Sequence, residues 1–130
     1  MKRTLFLISV VSVFAALLSA QDDAAYMTAM KTVNPAVRAV NPAITAKDNA
    51  AVAAAAKTLV DAFTTINAYW TAKKTDDAIG FSATAKAAAS DLASATDSDA
   101  QTAALKKLQG TCQPCHAAHR GGMPPTFQIK

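Results

Sequence analysis

The sequence predicts an all-α protein, an antiparallel four-helix bundle. Three observations carry this. Apolar residues recur every three or four positions, which is the period of one helix face. Alanine, the best helix former, is abundant, while β-branched alternation is nearly absent. Four such segments follow one another with short joins, and short joins make neighbouring helices antiparallel.

The chain opens with MKRTLFLISVVSVFAALLSA. Lys2 and Arg3 form a positive start, Thr4 to Leu18 are mostly apolar, and Ala20 closes a Ser-Ala step. This is the pattern of a secretory signal peptide over residues 1–20, removed to leave a single domain at 21–130. The apolar run is short of the roughly 20 residues that span a bilayer, and polar sequence follows directly. The expected product is periplasmic, with no stable membrane insertion once the signal is gone.

The first helix is expected after Asp22-Asp23, carrying Tyr26, Met27, Met30 and Val33. The unit VNPA occurs at 33–36 and again at 40–43. A proline inside a helix removes a hydrogen bond and kinks it. Helix is therefore expected to about Asn34, followed by a kinked continuation or a short second piece to Asn41. In the second segment Val52, Ala56, Leu59, Phe63, Ile66 and Trp70 form one stripe, with Asp48 placed to cap it. In the third, Ala78, Phe81, Ala85, Ala88, Leu92 and Ala95 repeat the rhythm behind Thr75. The fourth opens with SDAQ, which reads as a capping box of Ser98 and Gln101. Its stripe is Leu105, Leu108, Cys112, Cys115 and His119. Pro114 cannot donate to the carbonyl of Gly110, so a distortion is expected over 110–114, with Thr111 recapping a last turn or two. Gly121-Gly122 should end the helix and Pro124-Pro125 keep it ended.

Without residues 1–20 the chain has eleven Lys and Arg against nine Asp and no Glu, a net charge of about +2. The basic residues are scattered and no aromatic residues interleave with them, which argues against a nucleic-acid partner. Many seam positions are alanine. They permit close helix approach but bury little area, so at about 25 cal/mol per Å² the core is meagre for its length. Either the helices close tightly on alanine, or something large and apolar fills the gap.

Both cysteines and both histidines lie in TCQPCHAAHR, residues 111–120. In an exported chain two cysteines can form a disulfide or a redox dithiol. The dithiol motif normally starts a helix that follows a strand, and no strand is expected here. Cys112, Cys115, His116 and His119 are also zinc-ligand types, but all four lie in one short segment, which surrounds an ion poorly. Cys-x-x-Cys-His is, in addition, the attachment pattern of a covalent haem c. On that reading Cys112 and Cys115 add to the two haem vinyl groups as thioethers, and His116 turns its imidazole to the iron. Covalent attachment would hold a haem that a small alanine-rich core could not.

With GTCQPCHAAHR last, a Met-bearing first helix and an alanine-rich middle, the chain resembles the class II cytochromes c, cytochrome c′ and its low-spin relatives. The resemblance spans essentially residues 21–130. It implies a four-helix bundle with the haem near the C-terminus. Where the family commonly has an aromatic residue followed by a basic one, this chain has His119 and Arg120: Arg120 fits and His119 departs. The chain is somewhat short for the family, and the repeated VNPA has no counterpart there. In YMTAMK the resemblance to low-spin members points to Met30 as sixth iron ligand. Met27 lies one turn earlier, and Met123 follows the last helix. Arg120 is a candidate partner of a haem propionate. His119 is expected against the haem edge or partly exposed, and Trp70, Tyr26, Phe63 and Phe81 are candidates to line the pocket.

The function expected is a one-electron carrier with His116 and Met30 on the iron, docking transiently with redox partner proteins. The alternative is a five-coordinate haem that binds small gases such as NO and CO. An enzyme is not expected, because the first helix carries no His, Arg or Glu at a distal position. Family members are often dimers through the first two helices, so monomer and homodimer are both open.

Overall fold

The computed structural model describes the backbone of residues 2–130 and the side chains of 22–130. The leader reading of residues 1–20 therefore lies outside the described side chains. Five helices and a hairpin follow in order: α1 (Lys2–Thr45), α2 (Asn49–Lys73), α3 (Asp76–Ser94), α4 (Ser98–Gln109), α5 (Cys112–His119), β1 (Arg120–Met123) and β2 (Thr126–Ile129). The first three helices and the bent pair α4–α5 make a four-helix bundle. Each helix packs on the next, and α1 meets α4 to close the ring. Among the described residues no helix is long and apolar enough to cross a membrane.

The α2 stripe is buried as expected, from Val52 to Trp70. In α3, Ala78, Ala85, Ala88 and Leu92 are buried, whereas Phe81 and Ala95 are half-buried and Ser82 is buried beside them. Ser82 is satisfied locally: its hydroxyl donates to the Ala78 carbonyl at 2.7 Å and accepts from Asn67 Nδ2 at 2.9 Å. Among the described residues ten buried side chains are alanines, spread over four helices, so the backbones approach closely at these levels. Val40, Val52, Leu59, Leu92, Leu105 and Leu108 are large aliphatics buried in the core between the helices.

Three details of the helix ends differ from expectation. First, α1 begins earlier than Asp22-Asp23 and runs unbroken through Pro35 and Pro42 to Thr45. The two prolines are seven residues apart and both exposed. The carbonyls they leave without a partner belong to Lys31 and Arg38, also exposed, so water can satisfy them and the helix is not forced to stop. Second, α4 is capped by Asp97, not Ser98. Asp97 Oδ1 accepts from the Ala100 N–H at 2.8 Å. Gln101 is not part of a capping box. It is 1% exposed, and its amide donates to Asn49 Oδ1 and the Ala95 carbonyl, tying the start of α2 to the α3–α4 turn. Third, the chain after α5 forms an antiparallel hairpin, with Gly122 opposite Phe127 and Pro124-Pro125 as its turn. Asp48 caps α2 as expected, accepting from the Ala51 N–H at 2.9 Å. Thr75 begins α3 without a side-chain cap bond.

The turns after α1 and α2 each close with two backbone bonds of the Schellman type. Asp48 N–H donates to the Ala43 carbonyl and Lys47 N–H to Ile44; Thr75 donates to Trp70 and Lys74 to Thr71. The residue that must turn left-handed is a lysine in both, with φ 56° at Lys47 and 55° at Lys74. A side chain there costs roughly 1–2 kcal/mol, partly offset by the extra chain entropy a glycine loses. Lys47→Gly should therefore raise the urea midpoint, a gain of up to about 1 kcal/mol with unchanged slope.

Candidate functional site

Helix α4 stops because of Pro114. In a continuous helix its ring would strike the Gly110 carbonyl, and it offers no N–H to that oxygen. The chain bends at Gly110 and Thr111 and restarts as α5, with Pro114 in the first turn, where its missing N–H costs nothing. Thr111 does not cap α5; its hydroxyl donates back to the Leu108 carbonyl at 2.8 Å. Within α5, Cys112, Cys115, His116 and His119 stand at spacings of three and four and share one face.

That face lines a cavity of about 660 Å³, within the range of about 300–1,000 Å³ usual for a ligand site. The wall on α1 carries Tyr26, Met27, Met30, Val33 and Val37; α2 and α3 add Phe63, Ile66 and Phe81; the hairpin adds Phe127 and Ile129. Cys112, Cys115, His116, Met30 and Arg120 therefore all border one space. Met27 does too. Met123 does not: it is 76% exposed at the end of β1. The two formal charges on the lining, Lys31 and Arg120, are both positive. Among the described residues no group of three or more His, Cys, Asp or Glu converges on a point that could hold a bare metal ion.

Both cysteines are free thiols, Cys115 buried and Cys112 half-buried. Burial pushes both thiols up, so they stay protonated at neutral pH. Burial pushes His116 the other way, and nearby Arg120 adds to this. His116 is thus kept as neutral imidazole with a ring nitrogen free to ligate. Arg120 ends α5 and opens β1, and its guanidinium lies 4.2 Å over the Phe127 ring.

His119 also lines the cavity and is tied to α3. Its Nε2 lies 2.9 Å from Asp77 Oδ2, and its side chain is 14% accessible. An ionised carboxylate only accepts, so Nε2 carries the hydrogen. This bond holds the Asp77 carboxyl below its usual range. The His119 ring stands 4.9 Å from that of Trp70, which packs edge-on to Tyr26 and Tyr69 at 5.4 and 5.1 Å. Of the expected aromatic lining, Tyr26, Phe63 and Phe81 face the cavity, while Trp70 stands behind it. Trp70 Nε1 is the one buried side-chain polar atom among the described residues without a partner.

Several residues at the site were not anticipated. Asp77 meets His119 across 42 positions of sequence, and no local signal links them. Phe127 and Ile129 alternate with polar neighbours in TFQI, but four residues are too few to assert a strand. Comparison with family models, with curated proteins and with solved structures returned no match.

Burial, first, and the Cys115 sulfur, second, push the Tyr26 phenol from 10.0 up to about 12. A raised phenol favours the fold below its unfolded value, and that contribution is lost as pH climbs through the folded one. The melting temperature should thus fall between pH 10 and 12, and Tyr26→Phe should flatten part of the fall. Asp77 has the opposite sign. Its contribution is present above pH 3.8 and lost as pH drops through its lowered value, so Asp77→Asn should lose a stability increment that wild type shows only above that pH.

Proposed function

We propose that the chain is a haem c electron carrier of the class II cytochrome c type, exported to the periplasm, with His116 and Met30 as iron ligands. The observation that carries this reading is that two free thiols, a neutral imidazole and a thioether border one apolar cavity. The donor set fits the group. Cys112 and Cys115 would hold the haem through thioethers, each S–H adding across one vinyl group with the proton going to carbon and no net redox change. His116 supplies the imidazole donor, and Met30, on α1, the thioether. Arg120 and Lys31 offer positive charge to two propionates. Tyr26, Phe63, Ile66 and Phe81 exclude water, which favours the less charged, reduced state of a bound iron. The bound haem supplies the one-electron couple; the chain supplies attachment, ligation and a dry wall. Partner proteins would dock weakly and briefly, since the net charge is small.

The deciding experiment is the optical spectrum of the haem-loaded protein, oxidised and reduced. Expected are a sharp reduced α band and the weak far-red band of sulfur-ligated ferric haem, with Met30→Ala abolishing that far-red band and admitting CO to the reduced form. A broad high-spin spectrum in the wild type would remove Met30 from the iron and make gas binding the function. A chain that takes up no haem under conditions that load other c-type haem proteins would sink both.

A further inference from the structure

The C-terminal hairpin has more contact with the cavity than a loose tail needs. A two-stranded hairpin alone is marginal in water, so one that persists leans on something else. Its register puts Arg120 and Gly122 of β1 and Phe127 and Ile129 of β2 on one face. Phe127 and Ile129 are half-buried on the cavity, and Ile129 packs against the bundle core. Thr126, Gln128 and Met123 alternate onto the other face and are exposed.

The hairpin is also fastened at both strands. The Arg120 guanidinium stacks on Phe127, its diagonal cross-strand neighbour. Lys130 returns to the end of α5: its N–H donates to the His119 carbonyl at 2.9 Å, and its Nζ reaches the Ala117 carbonyl at 3.4 Å. Gly122 allows the strands to close over Phe127. It has φ +73°, and a Cβ there would come within 2.5 Å of the Thr126 carbonyl.

We infer that this hairpin is the solvent seal of the cavity's cysteine–histidine wall, with Phe127 and Ile129 as its plug and the Arg120–Phe127 stack as its fastening. The seal is a property of the chain; what it protects, the edge where a haem would be attached, rests on the function proposed above. By keeping water from that edge it would raise the reduction potential of a bound haem.

The test uses the full chain without haem, alkylated by iodoacetamide at one fixed pH, with labelling of Cys115 followed by mass. Phe127→Ala and Gly122→Val should each label severalfold faster than wild type at equal helical circular dichroism. Met123→Ala, on the exposed face, should match wild type. If Gly122→Val loses helicity, Phe127→Ala alone decides. Equal rates in Phe127→Ala and wild type would overturn the seal. In the haem-loaded chain, Phe127→Ala should lower the reduction potential, and an unchanged potential would count against the seal as well. Covalent haem uptake, scored separately, keeps the two proposals apart. A chain that takes up none sinks the haem reading and leaves the labelling result standing. A haem-bearing chain with no labelling difference sinks only the seal.

Discussion

The site depends on one hydrogen bond that cannot form. Pro114 has no N–H for the Gly110 carbonyl, so α4 cannot continue into the cysteine segment. The bend at Gly110 and Thr111 gives that segment its own axis. Everything downstream takes its direction from this break: the face of Cys112, Cys115 and His116, the start of β1 at Arg120, and the return of Lys130 to the end of α5. The break costs little, because the Thr111 hydroxyl takes up the Leu108 carbonyl and Pro114 falls where a first-turn N–H has no partner anyway.

Opposite α5, the same cavity is bounded by a helix that runs on through two prolines. Two prolines in α1 are tolerated because both are exposed, as are Lys31 and Arg38, whose carbonyls they leave without a partner. One long helix can then supply both the wall with Met27 and Met30 and the buried core residues Val40 and Ile44. The aromatic group of Tyr26, Tyr69 and Trp70 stiffens the joint between α1 and α2. The Asp77–His119 bond pins the end of α5 to the start of α3, so the cysteine face is braced by a carboxylate that lies outside the cavity lining.

Periodic burial was legible from the residues alone. The α2 stripe needed only the spacing of Val52 through Trp70, and the Asp48 cap needed only its place before that stripe. The break before α5 followed from the valence of proline. Other features were decided beyond their neighbours. Asp97 and Ser98 are both good caps, and burial of Gln101 against Asn49 chose between them. Lysine gives no hint of a left-handed turn at positions 47 and 74. Prolines 35 and 42 leave a kinked continuation and a break both open in a local reading, and their exposure lets the helix run on. The hairpin is four residues a side, and its strands gain their stability from the bundle. At the site, spacing put Cys112 and Cys115 on one stripe, whereas the candidacy of Met30 came from the family resemblance. The partner of His119 could be read from neither, since Asp77 lies on another helix.

The alanine seam sets where this bundle can vary. At positions such as Ala56, Ala78, Ala85 and Ala88 the side chains are wholly buried and the helices already touch through them. A larger residue there has no empty space to enter and must drive two backbones apart. The cavity end carries the bulky, half-buried side chains, and these can change size without moving a helix. The molecule is therefore divided into a part that fixes geometry and admits almost no substitution, and a part whose lining can be exchanged. Related chains would be expected to diverge at the second while repeating the first.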